Sequence, residues 1–388
     1  MEVSQGASHV YGIDRHTLCL AAVAGNPARS RFVLGTLGIN EPSEIHLVDF
    51  DSDENTLSSL VYTHSCGVRA LAAAPWNAAH LVVVNNGSLA PASRLVELVE
   101  LPDAPEGPLA GQGAAEPGVR VVAALECTDL QMPHSAACHP TAPRVAVAAA
   151  GGVQIWDVAA AAATPTHAIH AARHAMADVQ AVAWHPTAPA QLSTADGSCV
   201  RSWDTRADPR NAQTLAIEHA HGGTARALDY NPTLPYVLAS GGDDGAVRLW
   251  DARAPASPLM QIANHTHWVY SLAFNPNHDQ LVLSAGADGL VNLESVVSVS
   301  SAHVVAGLEH RLSDAELQAD RESDAAGSLA DESEPAVDGL VAQYDDHETS
   351  VYAAAWSPAD PWVFASLSFD GRLVINTVPL EEKYKILL

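Results

Sequence analysis

Six apolar runs in this chain end on the same punctuation. Ala73, Cys138, Trp184, Tyr230, Phe274 and Trp356 each close a run of strand length, and most are followed closely by a proline, in AAPW, CHP, WHP, YNP, FNP and WSP. The steps between them are about 65, 46, 46, 44 and 82 residues, set against the period of about 40–45 that marks repeats of four short strands. A unit of that size cannot bury its own apolar face, so its copies must stack on one another. The two long steps have visible causes: the Pro/Gly/Ala stretch Pro102–Gly118 lies in the first and the acidic segment Glu309–Asp338 in the last.

One repeat is complete. The stretch His221–Asp251, HGGTARALDYNPTLPYVLASGGDDGAVRLWD, reads as a WD repeat. A histidine opens it, Ala225–Tyr230 and Tyr236–Ser240 form two strands, and a third ends on Trp250-Asp251. Pro and Gly/Asp clusters mark the turns. The spacing predicts a structural tetrad in which Asp244, His221, Ser240 and Trp250 form one buried hydrogen-bonded chain, because buried polar groups need partners. A catalytic Ser-His-Asp triad is the rival reading. It fails on two points: the serine lies inside a strand, without the exposed elbow hydrolases use, and a triad gives Trp250 no role. No catalytic residue is assigned.

The other repeats keep the pattern unevenly. His265, Ser284 and Asp288 preserve the spacing, with Glu294 in the Trp position, and His347, Ser366 and Asp370 preserve it with Asn376 there. In the Trp203 repeat Gly197 takes the Asp position and Asp196 comes one residue early; the Trp156 repeat has lost both His and Asp. Such degraded blades are expected to be looser. His80–Val84, Leu95–Leu101 and Arg120–Leu125 are expected in the second unit, Arg144–Ala148 and Val153–Trp156 in the third, with Ala159–Ala163 as a loop. Ahead of the first anchor, Val10–Ile13, Arg31–Thr36, Glu44–Phe50 and Leu57–Tyr62 read as one further unit. About seven blades result, and the expected fold is an all-β, seven-bladed WD40 β-propeller over residues 1–388, one domain and a monomer. Leu340–Tyr344 returns as the fourth strand of the sixth blade after the insert. The ring closes either through Lys383–Leu388 as an outer strand or through the N-terminal residues.

Composition excludes several function classes. The net charge is -26 with only 16% charged residues, which disfavours duplex nucleic acid, since phosphate contacts need clustered Lys and Arg. Cys19, Cys66, Cys127, Cys138 and Cys199 are dispersed and form no C-x-x-C pair, which argues against a disulfide framework or a zinc site. The pairs His219-x-His221 and His265-x-His267 are weak metal signals, because one member of each already has a structural place. No G-x-x-x-x-G-K-[ST] is present. Neither metal nor cofactor is expected. No signal peptide or spanning apolar run is read, so the expectation is a cytosolic or peripheral protein with no membrane span.

Two tetrapeptides, Trp203-Asp204-Thr205-Arg206 and Trp250-Asp251-Ala252-Arg253, fit WD-x-R. That pattern resembles the box of substrate receptors of cullin-4 ubiquitin ligases, in which Arg206 or Arg253 would contact the adaptor. The plainer reading is that each arginine closes its turn with a local ion pair.

From end to end the chain resembles the EARP- and GARP-complex-interacting protein family of WD-repeat proteins. The similar stretches include VYGIDRHTLCL, RFVLGT and EIHLVDFD near the start, and EHAHGGTARALDYNP with SGGDDGAVRLWDAR in the middle. The ending HETSVYAAAWSPADPWVFASLSFDGRLVINTVP with KYKILL is the most specific. Missing tryptophans at Glu294 and Asn376 and an acidic insert fit the family. The likeness is weak across Gly87–Gly118 and Asp157–Met176. It implies a non-enzymatic partner of tethering complexes, acting in endosomal recycling and in retrograde traffic to the trans-Golgi network, peripheral to those membranes.

A partner site follows from the repeat. The residue five after the opening His points toward the mouth of the central channel, which selects Arg69, Arg226, Tyr270 and Tyr352; strand alignment adds Gln180, and Trp268 lies on the same edge. Arg, Tyr and Trp often dominate interface energies. The rival is that they plug the channel by packing on one another. Glu309–Asp338 has too few large apolar residues to fold alone. Ser313 and Ser328, each with an acid three residues on, look like sites for an acid-directed kinase.

Overall fold

The computed structural model describes residues 8–24, 29–38, 42–86, 95–102, 118–127, 133–159, 164–170, 178–208, 211–303 and 337–387. The acidic insert is outside them except for its last residues, as are Ser313, Ser328 and Ala160–Ala163; Ala159 lies in a turn.

The described strands form seven four-stranded antiparallel sheets. After β1 (His9–Gly12) comes the first blade, β2 (Thr17–Val23), β3 (Ser30–Thr36), β4 (Ser43–Asp51) and β5 (Thr56–His64). The second is β6 (Val68–Ala73), β7 (His80–Asn85), β8 (Val96–Glu100) and β9 (Arg120–Leu125). The third is β10 (Ser135–Cys138), β11 (Arg144–Ala149), β12 (Gly152–Asp157) and β13 (His167–His170). The fourth is β14 (Val179–Trp184), β15 (Gln191–Asp196), β16 (Cys199–Asp204) and β17 (Gln213–Ile217). The fifth is β18 (Ala225–Tyr230), β19 (Val237–Gly242), β20 (Val247–Asp251) and β21 (Met260–Ile262). The sixth is β22 (Val269–Phe274), β23 (Leu281–Gly286), β24 (Val291–Ser295) and β25 (Gly339–Tyr344). The seventh is β26 (Val351–Trp356), β27 (Val363–Ser368) and β28 (Arg372–Thr377), with β1 added outside β28. The innermost strands touch in sequence around the ring, and β2 meets β26 to close it.

Seven apolar cores lie between blades, not within them. Along β7, Leu81 and Val83 face the first blade, while Val82 and Val84 face the third. Side chains of a strand alternate between its two faces, so a strand buried on both must be apolar throughout. HLVVVN in β7 and RVAVAA in β11 are such runs. The last core joins Phe32, Leu34 and Val48 of the first blade to Val363, Ala365 and Leu373 of the seventh.

All six anchor residues end the innermost strands of their blades. Two expectations need correction. Val10–Ile13 does not begin the first blade: His9–Gly12 pairs with β28, and the first blade's innermost strand is Thr17–Val23. TLCLAAV carries no closing proline and little β-branching, so it lacked the signature of the other inner strands, although its burial alternates strictly. Of the two closures considered, the N-terminal one is present. Lys383–Leu387 is not a strand but part of a helix, α1 (Leu380–Leu387); Leu388 lies outside the described residues. Leu380-Glu381-Glu382-Lys383 follows Pro379, which suits a helix start, with acids in the first turn and Lys385 in the last.

Ring closure depends on one turn. Gly371 has φ +86°, and a Cβ there would collide with the carbonyl oxygens of Ile13 and Arg15. Its own carbonyl accepts from Ile13 N–H at 2.9 Å, and Phe369 O accepts from Thr17 N–H at 3.1 Å. The chain thus crosses from β1 to β2 over a turn that only glycine fits.

Candidate partner-binding site at the mouth of the ring

The fifth blade is held by a continuous polar chain. His221 Nδ1–H donates to Asp244 Oδ1 at 2.9 Å, Ser240 Oγ–H donates to His221 Nε2 at 2.8 Å, and Trp250 Nε1–H donates to Ser240 Oγ at 2.9 Å. Arg248 Nη1 lies near His221 Nδ1 but donates to Asp244 Oδ2 at 2.7 Å, since Nδ1 already carries the proton shared with Asp244. Burial works against the Asp244 charge. The Gly222 N–H, Arg248 and His221 outweigh it and hold the carboxyl well below the usual carboxylate range. Burial lowers His221 despite Asp244, so the ring stays neutral.

The sixth blade repeats this with His265, Asp288 and Ser284. In the seventh, Ser366 meets His347 Nε2 at 2.8 Å, but Asp370 turns away and accepts from Thr349 Oγ at 2.9 Å and Ser368 Oγ at 2.5 Å. His347 Nδ1 is buried without a hydrogen bond. In the fourth blade Thr194 serves the Trp203 indole at 2.9 Å. None of these serines reaches the surface as a nucleophile would: Ser240, Ser284 and Ser366 are all buried.

The predicted mouth residues share one backbone feature. Arg69, Gln180, Arg226, Tyr270 and Tyr352 each fall where the innermost strand slips register against its neighbour, between Val68/Ala70, Val179/Ala181, Ala225/Ala227, Val269/Ser271 and Val351/Ala353. A β-bulge leaves one residue unpaired and re-aims its side chain. Each bulge lies at the start of its strand, so all five are at the same end of the ring. Two more members were missed. Leu18 occupies the bulge of the first blade. His134 lies four residues before Cys138, the offset that separates Arg69 from Ala73. Counting back from the anchors, instead of forward from a histidine the third repeat lacks, finds His134.

Contacts divide these residues into two halves. On one, the Arg226 guanidinium is ion-paired with Asp243 and lies 4.6 Å from the Trp268 ring centre and 5.7 Å from that of Tyr270. Tyr270 stacks on Tyr352 at 4.4 Å, Tyr352 meets Phe369 at 5.8 Å, and Phe369 stacks on His16 at 4.4 Å. Trp268 stands at the edge, 38% exposed. Burial and the neighbouring Tyr352 push the Tyr270 phenol up to about 12. On the other half, Arg69 Nη2 donates to His134 Nδ1 at 2.8 Å, His134 Nε2 lies 3.3 Å from Asp178 Oδ1, and Gln180 donates to Asp178 Oδ2 at 2.7 Å.

Both WD-x-R arginines close their own turns. Arg206 pairs with Asp204 at 2.9 Å and Arg253 with Asp251 at 2.7 Å, while Tyr236 lies under the Arg253 guanidinium at 3.5 Å. Among the described residues no cluster of three or more His, Cys, Asp or Glu could hold a metal, and no helix is long and apolar enough to cross a membrane.

One family recurs among the full-length relatives of this chain. A family model described as EIPR1 beta-propeller matches residues 194–294, and one described as WD domain, G-beta repeat matches residues 339–375. The chain is 33% identical to EARP and GARP complex-interacting protein 1 of Rattus norvegicus over 98% of both chains. It is 34% identical to EARP-interacting protein homolog of Danio rerio, again over 98% of both. EARP-interacting protein 1 of Caenorhabditis elegans is 29% identical over 97% of this chain and 98% of its own.

Proposed function

The chain belongs to the family of EARP and GARP complex-interacting proteins, and on that premise we propose that it is a non-enzymatic scaffold that binds these vesicle-tethering complexes. Its setting is endosomal recycling and endosome-to-trans-Golgi transport, peripheral to the membranes involved. The observation that carries the reading is similarity over nearly the whole length of both chains. The binding surface is the mouth of the ring. It gathers Arg226, Trp268, Tyr270 and Tyr352 into one contiguous cluster, and these residue types often dominate binding energy.

Affinity purification of the tagged protein from cells tests this. Recovery of EARP or GARP subunits is the expected result. Recovery of the cullin-4 adaptor instead, lost on Arg206→Ala or Arg253→Ala, would replace the reading with that of a ubiquitin-ligase substrate receptor. The turn-closing ion pairs already account for both arginines without an adaptor.

A further inference from the structure

The described arginines are mostly neutralised. Arg15 sits on Glu44, Arg29 on Asp49, Arg201 on Asp196, Arg226 on Asp243 and Arg248 on Asp244. In a chain of net charge -26, carboxylates are plentiful. Arg69 nevertheless has none within ion-pair distance among the described residues. Its side chain is half-buried, and its hydrogen-bond partner is an uncharged imidazole nitrogen, His134 Nδ1. Asp178 lies on the far side of that ring, beyond His134 Nε2. The imidazole therefore holds the guanidinium in place without cancelling its charge. Burial lowers His134 from its ordinary value, and a neutral ring is what lets Nδ1 accept.

A half-buried, oriented, unneutralised guanidinium is a poor structural device and a good receptor for a carboxylate, which it can grip through two N–H donors. Across the mouth stands the aromatic half, where Tyr270 and Tyr352 stack and Trp268 is partly exposed. Resting on the mouth as the partner surface, we propose that Arg69 receives a carboxylate from the partner, an acidic side chain set beside a large apolar one that packs on Trp268, Tyr270 and Tyr352. The two halves then read two neighbouring features of one partner segment and fix its direction across the ring. The long-range field of the chain repels an acidic partner, so recognition here is a short-range contact, unlike steering by net charge.

The test uses purified EARP complex and four proteins: the unaltered chain, Arg69→Gln, Arg69→Lys, and Tyr270→Ala with Tyr352→Ala. Arg69→Gln removes the charge while keeping a neutral N–H donor at position 69, and matching thermal melts verify the fold. Affinity should fall on the order of tenfold or more in Arg69→Gln and recover in part in Arg69→Lys. With Arg69→Lys, a zero-length carbodiimide should join the new amine to a partner carboxylate, with loss of water, and the adduct should map to position 69. Unchanged affinity in Arg69→Gln, or bound Arg69→Lys with no adduct at position 69, overturns the inference. Should the tyrosine substitutions abolish binding while Arg69→Gln does not, the mouth stands as partner surface and only the carboxylate falls. If none of the variants loses binding, or the unaltered chain does not bind, both fall.

Discussion

Asp244 is the residue on which the fifth blade's polar chain ends. It accepts from His221, Arg248 and two backbone N–H groups, so truncating it leaves a buried His221 donor without a partner. Asp244→Ala should cost roughly 1–3 kcal/mol. Glu294 is the contrast. It stands buried in the Trp position of the sixth blade, one oxygen accepts from Asn264 at 2.8 Å, and the other has no hydrogen bond. Burial raises its carboxyl above the ordinary value, so the folded state holds a proton that the unfolded state releases, and stability falls as pH rises between the two. Glu294→Gln should therefore be neutral or stabilising at pH 7. Urea melts of both variants decide, and equal losses would contradict the assignment. The seventh blade mirrors this pair with roles exchanged: Asn376 donates to Asp346, the residue before its histidine, at 3.1 Å. Spacing located Glu294 and Asn376 but not their partners, because a hydrogen bond from a loop to a strand leaves no periodic trace. Spacing also placed Asp370 correctly without showing that its carboxylate would choose Thr349 and Ser368 over His347. That choice has a pH consequence. Burial lowers His347 from 6.5 to about 4, with Asp346 and Asp370 only partly opposing. A depressed histidine gives stability that is present above its unfolded value and is lost as pH falls from about 6.5 to about 4, here by at most about 3 kcal/mol. His347→Gln should flatten the pH dependence of the urea midpoint in that window. An unchanged slope would mean that other groups carry it.

At the scale of elements, β1 is the strand that joins the two ends of the ring. It pairs His9–Gly12 with Arg372–Ile375, and the chain then passes over Gly371 into β2. Removing residues 1–12 should leave the outer edge of β28 without its partner strand and lower the melting temperature by many degrees. Gly371→Ala should destabilise by at least about 1 kcal/mol, since it combines a positive φ with a backbone collision. Thermal melts that match the unaltered protein would show that the closure is dispensable. The strand between Pro-marked turns was legible wherever an anchor followed it. The first blade was legible only in part, because its inner strand TLCLAAV ends without that punctuation and the preceding residues look equally extended. At the other end, KYKILL alternates as a strand would, but Pro379 and the Leu-Glu-Glu-Lys that follows set a helix whose Ile386 packs under the last two blades.

The molecule as a whole follows from a period. A repeat of about 45 residues, punctuated by proline, predicted a closed ring because each sheet has two apolar faces and only its neighbours can cover them. The seven interblade cores are that prediction in atoms, and the insert enters where the long last step required, between β24 and β25. The mouth was legible for the same reason. Position within the repeat selects the bulged residue of each inner strand, so a counting rule found Arg69, Arg226, Tyr270 and Tyr352. Its pairing into an aromatic half and a polar half was not legible, because it depends on which blades are neighbours in space. The rival that these side chains merely plug the channel predicts that they stabilise the ring and bind nothing. The most direct measurement is the affinity of purified tethering complex for Arg226→Ala/Tyr270→Ala/Tyr352→Ala, in a protein shown by circular dichroism to stay folded. We predict loss of binding, with about 2 kcal/mol or more from the strongest single residue. Affinity equal to that of the unaltered protein would contradict the account and move the partner to another surface of the ring.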